Sequence, residues 1–221
     1  MSAPPGPWTL SGECLVGVVR PGSAAALPTG FHGLPGPRMI VGARYDQSPV
    51  GPYLELAVCE PARVGGRIGM CVTTMVVNTV EARRGGRSNW GMPKELGALD
   101  WSTDGDARVL HWVERDLTLR ATPIGPPLPA LVPFRTIQGG LDGPLAAAAK
   151  LRGRGRLARV EAEVDADDPL AWAGGGHVGV IVSSARLVMG EACPTPALRA
   201  PLNRTRPAAE PALAWAPNQG D

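Results

Sequence analysis

Twenty-nine glycines and 24 prolines in 221 residues divide this chain into short apolar runs separated by turns. Breakers at that frequency leave little room for helices of several turns, and apolar or β-branched runs between them read as strands. Candidate strands are Glu13–Val19, Met39–Tyr45, Tyr53–Cys59, Gly69–Val77, Arg108–Val113, Leu117–Pro123, Leu157–Val164 and His177–Met189. The last is long enough to bend or to be two strands. Helical signals are weak. The best are Thr79–Arg84 and Leu141–Lys150, the second because of its four consecutive alanines, Ala146 to Ala149. The expected class is mainly β (α+β), with few short helices.

The length and a hydrophobic fraction of 44% suit one domain with a sizeable core. That domain is expected over residues 1–193. From Pro194 to Asp221 the text turns rich in Pro, Ala and Arg without periodicity, which reads as an irregular or disordered tail. A formal net charge of +2 argues against a global field for nucleic acid or membrane. The start, Met1 to Pro7, lacks a basic and then apolar leader, and no run of about 18 apolar residues follows. A cytoplasmic protein is expected. Cys14, Cys59, Cys71 and Cys193 are far apart, and His32, His111 and His177 form no ligand pattern, so neither a disulfide nor a metal is expected. Arg152, Arg154, Arg156 and Arg159 make a local basic stripe, but no aromatics interleave with it, and it reads as a solvated turn rather than a nucleic-acid site.

Of 22 basic residues only Lys94 and Lys150 are lysines. Arginine serves as well as a solvated cation but cannot act as an amine nucleophile, so a retained lysine is a candidate for Schiff-base chemistry. Around Lys94 stand Trp90, Met92, Pro93 and Leu96. An apolar surround disfavours an ammonium relative to the free amine, which is the nucleophilic form. If residues 93–97 are extended, Glu95 points away from Lys94. In the strand beginning at Tyr53, the residues Tyr53, Glu55 and Ala57 share one face. Both faces are largely apolar, so Glu55 is expected as a half-buried carboxylate that either finds a partner or is drawn towards its protonated form. Both outcomes suit acid–base work; the alternative is a surface strand with Glu55 in solvent.

The phrase from Gly86-Arg87 through Asn89-Trp90-Gly91-Met92-Pro93-Lys94-Glu95-Leu96-Gly97, preceded by Tyr53-Leu54-Glu55, resembles the acetoacetate decarboxylase family. The resemblance runs from about Pro7 to about Glu191. It implies an antiparallel sheet closed into a cone-like β-barrel around an apolar pocket, and a homo-oligomer. It also implies Lys94 as the Schiff-base lysine and Glu55 as the pocket glutamate. There are departures. The family's second lysine is Glu95 here, a second pocket carboxylate falls on or near Ile40, and an N-terminal arginine falls near Gly12 and Glu13, with Arg20 the nearest candidate.

The reading is a cofactor-free lyase acting on a small carbonyl compound. Lys94 and Glu55 are the catalytic candidates, and Arg87, Tyr53, Trp90 and Met92 the substrate-binding ones. Arg87 could hold a substrate carboxylate bidentately, or pair within the fold. Decarboxylation, aldol chemistry and dehydration all follow from one iminium. The rival is a non-catalytic binding protein for a carbonyl ligand on the same fold. The reading asks for the Lys94 amine in an enclosed apolar cavity beside Glu55.

Overall fold

A computed structural model describes residues 3–20 and 27–195. Twelve strands and one α-helix follow in chain order. The first five strands are β1 (Trp8–Val19), β2 (His32–Gly33), β3 (Arg38–Gln47), β4 (Tyr53–Val64) and β5 (Arg67–Val77). Helix α1 (Val80–Trp90) comes next. After it lie β6 (Lys94–Leu96), β7 (Leu99–Asp104), β8 (Ala107–Trp112), β9 (Leu117–Pro123), β10 (Leu128–Gly140), β11 (Gly143–Glu163) and β12 (Gly175–Pro194). The chain is mainly β, as its spacing of turns requires. All eight expected strands are present within or overlapping these.

The strands pair in the order β10-β5-β4-β3-β1-β12-β11-β9-β8-β7, with β2 on β4, β6 on β5, and a second ladder between β10 and β11. Most ladders are antiparallel, but β6 and β10 each meet β5 in parallel, so the sheet is mixed. The contact of β10 with β5 is one residue pair, Thr136 with Met70, whereas β10 and β11 pair along their length from Leu128–Gly155 to Gly140–Gly143.

One expectation fails. Leu141–Lys150 is not helical: from Gly143 onward it is the start of β11. The alanines pair with Ile137, Thr136 and Arg135 on β10 and with the end of β12. Ala146, Ala147 and Ala149 are buried there, so packing on two flanking strands overrides the helical preference of alanine. The long run from His177 is one strand, with a register shift beside Ser184, whose φ is 47°. The strand runs through Pro194, and the Thr195 N–H donates to the Pro144 carbonyl. The remainder of the expected tail, 196–221, lies outside the described residues.

Alternation gives the sheet two apolar faces. On one, Leu15, Ile40, Leu56, Val58 and Val76 pack with Leu99, Leu110, Trp112, Leu117 and Leu119. On the other, Trp8, Cys14, Ala43, Tyr45, Tyr53, Ala57, Met75, Val77, Trp90 and Met92 pack together. The second cluster surrounds the candidate site.

Candidate active site

Register brings the two catalytic candidates to one place. Glu55 on β4 stands opposite Val77 on β5, and Met75, two residues away on the same face, stands opposite Lys94 on β6. Both side chains therefore project into the cluster of Tyr53, Met75 and Trp90. Lys94 is 3% exposed and Glu55 8%, and Lys94 Nζ lies 2.7 Å from Glu55 Oε2. Glu95 is exposed, as an extended backbone at 93–97 requires.

The turn that delivers Lys94 is built from α1. Thr79 caps the helix, its hydroxyl accepting from the Ala82 N–H. The helix does not stop at Arg84 but runs through Gly85 and Gly86 to Trp90. Both glycines are contact points: a Cβ on Gly85 would stand 2.2 Å from the Trp8 ring, and one on Gly86 would stand 2.5 Å from Lys94 Cδ and Cε. The helix ends at Gly91 in the left-handed region, φ 65°, where the Gly139 carbonyl leaves no space for a Cβ. The Arg87 Nε–H then donates to the Lys94 carbonyl at 2.6 Å, fixing the backbone that carries the lysine.

Tyr53 places its ring 5.0 Å from Lys94 Nζ and 4.9 Å from the Tyr45 ring. The Tyr45 hydroxyl is 3.5 Å from Glu55 Oε1, a long contact. Burial, and then the charge of Glu55, hold both phenols well above the ordinary tyrosine range, so they remain hydrogen-bond donors. Trp90 donates its indole N–H to the Gly190 carbonyl at 2.8 Å and meets Trp8 edge-on at 5.0 Å. It belongs to the buried cluster around the pair. Ile40 belongs to the cluster on the opposite face of the sheet, and the Glu13 carboxylate is bound by Arg108 Nε at 2.8 Å. Arg20 is exposed.

Two cavities lie alongside. One of about 680 Å³ is lined by Arg83, Arg84, Arg87, Met92, Pro93 and Leu141, among others. The second, about 260 Å³, is lined by Val72, Pro93 and Gln138 with their neighbours. Neither is lined by Lys94 or Glu55. The amine thus stands beside Glu55 in a packed apolar cluster, and Met92 is the side chain common to that cluster and the larger cavity. Arg87 and Met92 line that cavity together, while Tyr53 and Trp90 stay with the pair. The sequence did not single out Tyr45 or the arginines at 83 and 84, and offered Gly86 only as part of the family phrase. The arginines carried a readable signal, since 83, 84 and 87 are spaced to share a helix face. Among the described residues no group of His, Cys, Asp and Glu could hold a metal ion.

Residues 4–122 match the family model described as acetoacetate decarboxylase (ADC), which is more than half of the chain. The chain belongs to the acetoacetate decarboxylase family. No curated protein matches it. Solved structures do. Acetoacetate decarboxylase from Legionella pneumophila is 18% identical with a TM-score of 0.57, over 90% of each chain. The enduracididine biosynthesis enzyme MppR is 17% identical with a TM-score of 0.61, over 85% of this chain and 87% of its own. An acetoacetate decarboxylase-like enzyme from Sphingomonas wittichii RW1 is 15% identical with a TM-score of 0.62, over 88% and 95%. At these identities they establish the acetoacetate decarboxylase-like fold. Among the described residues no helix is long and apolar enough to cross a membrane.

Proposed function

We propose that this protein is a cofactor-free lyase that binds a small carbonyl compound covalently at Lys94. The observation that carries the reading is the buried contact of Lys94 Nζ with Glu55 Oε2 at 2.7 Å. Nucleophilic attack requires the Lys94 proton to pass to a neighbouring acceptor, and Glu55 Oε2, the atom in contact with Nζ, is placed to take it. The amine attacks the carbonyl carbon, and the C=O bond becomes a carbinolamine hydroxyl. Glu55 returns its proton to that hydroxyl, water leaves, and the nitrogen lone pair completes the C=N bond of an iminium facing a Glu55 carboxylate. The iminium then accepts the electron pair of a bond one carbon removed from it. If that bond leads to a carboxylate, carbon dioxide departs. If it leads to a carbinol carbon, the step is aldol cleavage, and if to hydrogen, dehydration can follow. Glu55 takes a proton from the carbinol hydroxyl, from the carbon acid or, after loss of carbon dioxide, from water, and passes it to the enamine carbon where that carbon is the one protonated. Water then adds to the iminium and releases product from Lys94.

Carbonyl condensation has a counterpart among structures of the same fold. MppR has been solved with pyruvate and with the condensation product of pyruvate and imidazole 4-carboxaldehyde. The proposal includes a sheet closed as a cone-like barrel, which the second ladder from β10 to β11 supports. It includes a homo-oligomer, supported by the exposed Leu128, Leu131 and Val132 on β10, and a cytoplasmic setting.

Sodium borohydride added with pyruvate or acetoacetate should reduce the iminium and fix substrate mass on Lys94, read by peptide mass spectrometry. Absence of any adduct across a panel of keto acids and aldehydes defeats the reading. The second reading, a carbonyl-binding protein without turnover, is favoured by the closed contact at Lys94, which neither cavity reaches. It is selected if the parent and Lys94→Met bind pyruvate equally and neither forms product.

A further inference from the structure

The two cavities share Gly91, Pro93 and Gly139 in their walls and so adjoin across the segment that leads into Lys94. In the larger one, Arg83, Arg84 and Arg87 come from one face of α1, and no carboxylate is among the lining residues. Like charges three and four residues apart repel, so a trio of arginines at a concave surface is a standing attraction for an anion. Arg83 has no ion-pair partner among the described residues. The rest of the wall is largely apolar, with Val80, Met92, Pro93 and Leu141 in it. A bare inorganic anion would leave that wall wet. An anion attached to a hydrocarbon body would cover it.

The smaller cavity supplies an independent observation. Gln138 lines it, is 2% exposed, and its Nε2 has no hydrogen-bond partner. A buried amide donor left unmade is costly, and such groups are normally satisfied. The smaller cavity thus has in its wall a side chain whose amide donor is unpartnered, and an acceptor oxygen within its reach would satisfy it.

We infer that the adjoining cavities form a binding site for an oxyanion on an apolar body, of the class of a medium-chain carboxylate. The arginines of α1 hold the head, the apolar wall holds the chain, and the Gln138 N–H donates to an acceptor oxygen towards the far end. As a binding site this stands by itself. As the holder of the non-reacting part of the substrate, it rests on the lyase reading.

Calorimetric titration of the full chain with octanoate, 1-octanol, inorganic phosphate and monomethyl suberate tests the site. None of these carries a ketone or aldehyde, so none reports on imine formation at Lys94. A null result here leaves the borohydride outcome untouched, and the converse holds too. Octanoate should bind at least about tenfold more tightly than octanol or phosphate, and more weakly as ionic strength rises. Arg83→Gln should bring octanoate down towards the octanol level while its melting temperature stays near that of the parent. Monomethyl suberate should bind more tightly than octanoate, and Gln138→Leu should abolish that difference alone. Equal binding of octanoate and octanol, phosphate binding as tightly as octanoate, or no effect of Arg83→Gln would overturn the assignment.

Discussion

At the scale of single residues the decisive question is what Lys94 and Glu55 do for each other. Each is almost wholly buried, so each makes the other tolerable. Removing one partner strands a charge, or forces the survivor to neutralise, at a cost of about 3–5 kcal/mol, whereas replacing both by apolar groups of similar volume is often neutral or stabilising. Lys94→Met alone should therefore lower the urea-unfolding free energy by about that amount, and the double variant E55L/K94M should recover most of it. Both variants should lose borohydride trapping entirely. If Lys94→Met proves as stable as the parent, the pair is not the coupled unit that the 2.7 Å contact describes. The pairing of these two residues was partly legible beforehand: alternation placed Glu55 beside Tyr53 on one face, and the apolar neighbours of Lys94 pointed to burial. The contact itself was not, because it depends on β6 pairing in parallel with β5, and nothing in three residues of strand announces its partner.

Among the elements, the strands flanked by turns and rich in β-branched residues were legible, and β10 with the start of β11 was not. Pro129 and Pro133 disguise β10, since a proline cannot donate into a ladder. Yet β10 has a full ladder only on its β11 side, and its contact with β5 is confined to Thr136. Two prolines of equal parity can be accommodated along such a free side. The alanine run misled for a related reason: propensity is local, and small buried side chains between two close strands are not. Helix α1 was expected only as far as Arg84, but it continues through Gly85 and Gly86, where Trp8 and Lys94 leave no space for a Cβ. That difference can be tested. Alanine favours a helix over glycine by about 1 kcal/mol, so a free helix would gain from either substitution. Gly85→Ala drives a methyl into the fully buried Trp8 ring and should destabilise by about 1–3 kcal/mol through overpacking. Gly86→Ala meets the aliphatic stem of Lys94, the flexible part of a side chain. It should leave stability within about 1 kcal/mol of the parent while slowing borohydride trapping at least about tenfold, by moving the amine off Glu55. Equal melting temperatures and equal trapping for all three proteins would show that neither contact matters.

For the whole molecule, the two apolar faces of one sheet make burial a global property, and three of the four cysteines report on it. Cys14, Cys59 and Cys71 are buried and Cys193 is exposed. Burial pushes each of the three buried thiols up to about 12, helped by the charge of Glu13 at Cys14, of Glu55 at Cys59 and of Glu60 at Cys71. In the unfolded chain a thiol ionises near about 8.5. A folded-state value above the unfolded one means that stability is complete below the unfolded value and is lost as pH rises toward the folded value. The window here is about pH 8.5 to 12, and within it each thiol removes at most about 1.4 kcal/mol per pH unit. Tyr45 and Tyr53, also held up by burial, act in the same direction above about pH 10. The urea midpoint should thus be nearly flat from about pH 7 to 8 and fall steeply above about pH 9. Cys59→Ala starts from a lower midpoint because of the cavity it leaves, but its alkaline slope should be shallower by one thiol's share. A midpoint that holds constant to about pH 10.5, or a Cys59→Ala slope identical to that of the parent, would mean that these thiols are wetter in solution than the packing of the sheet allows.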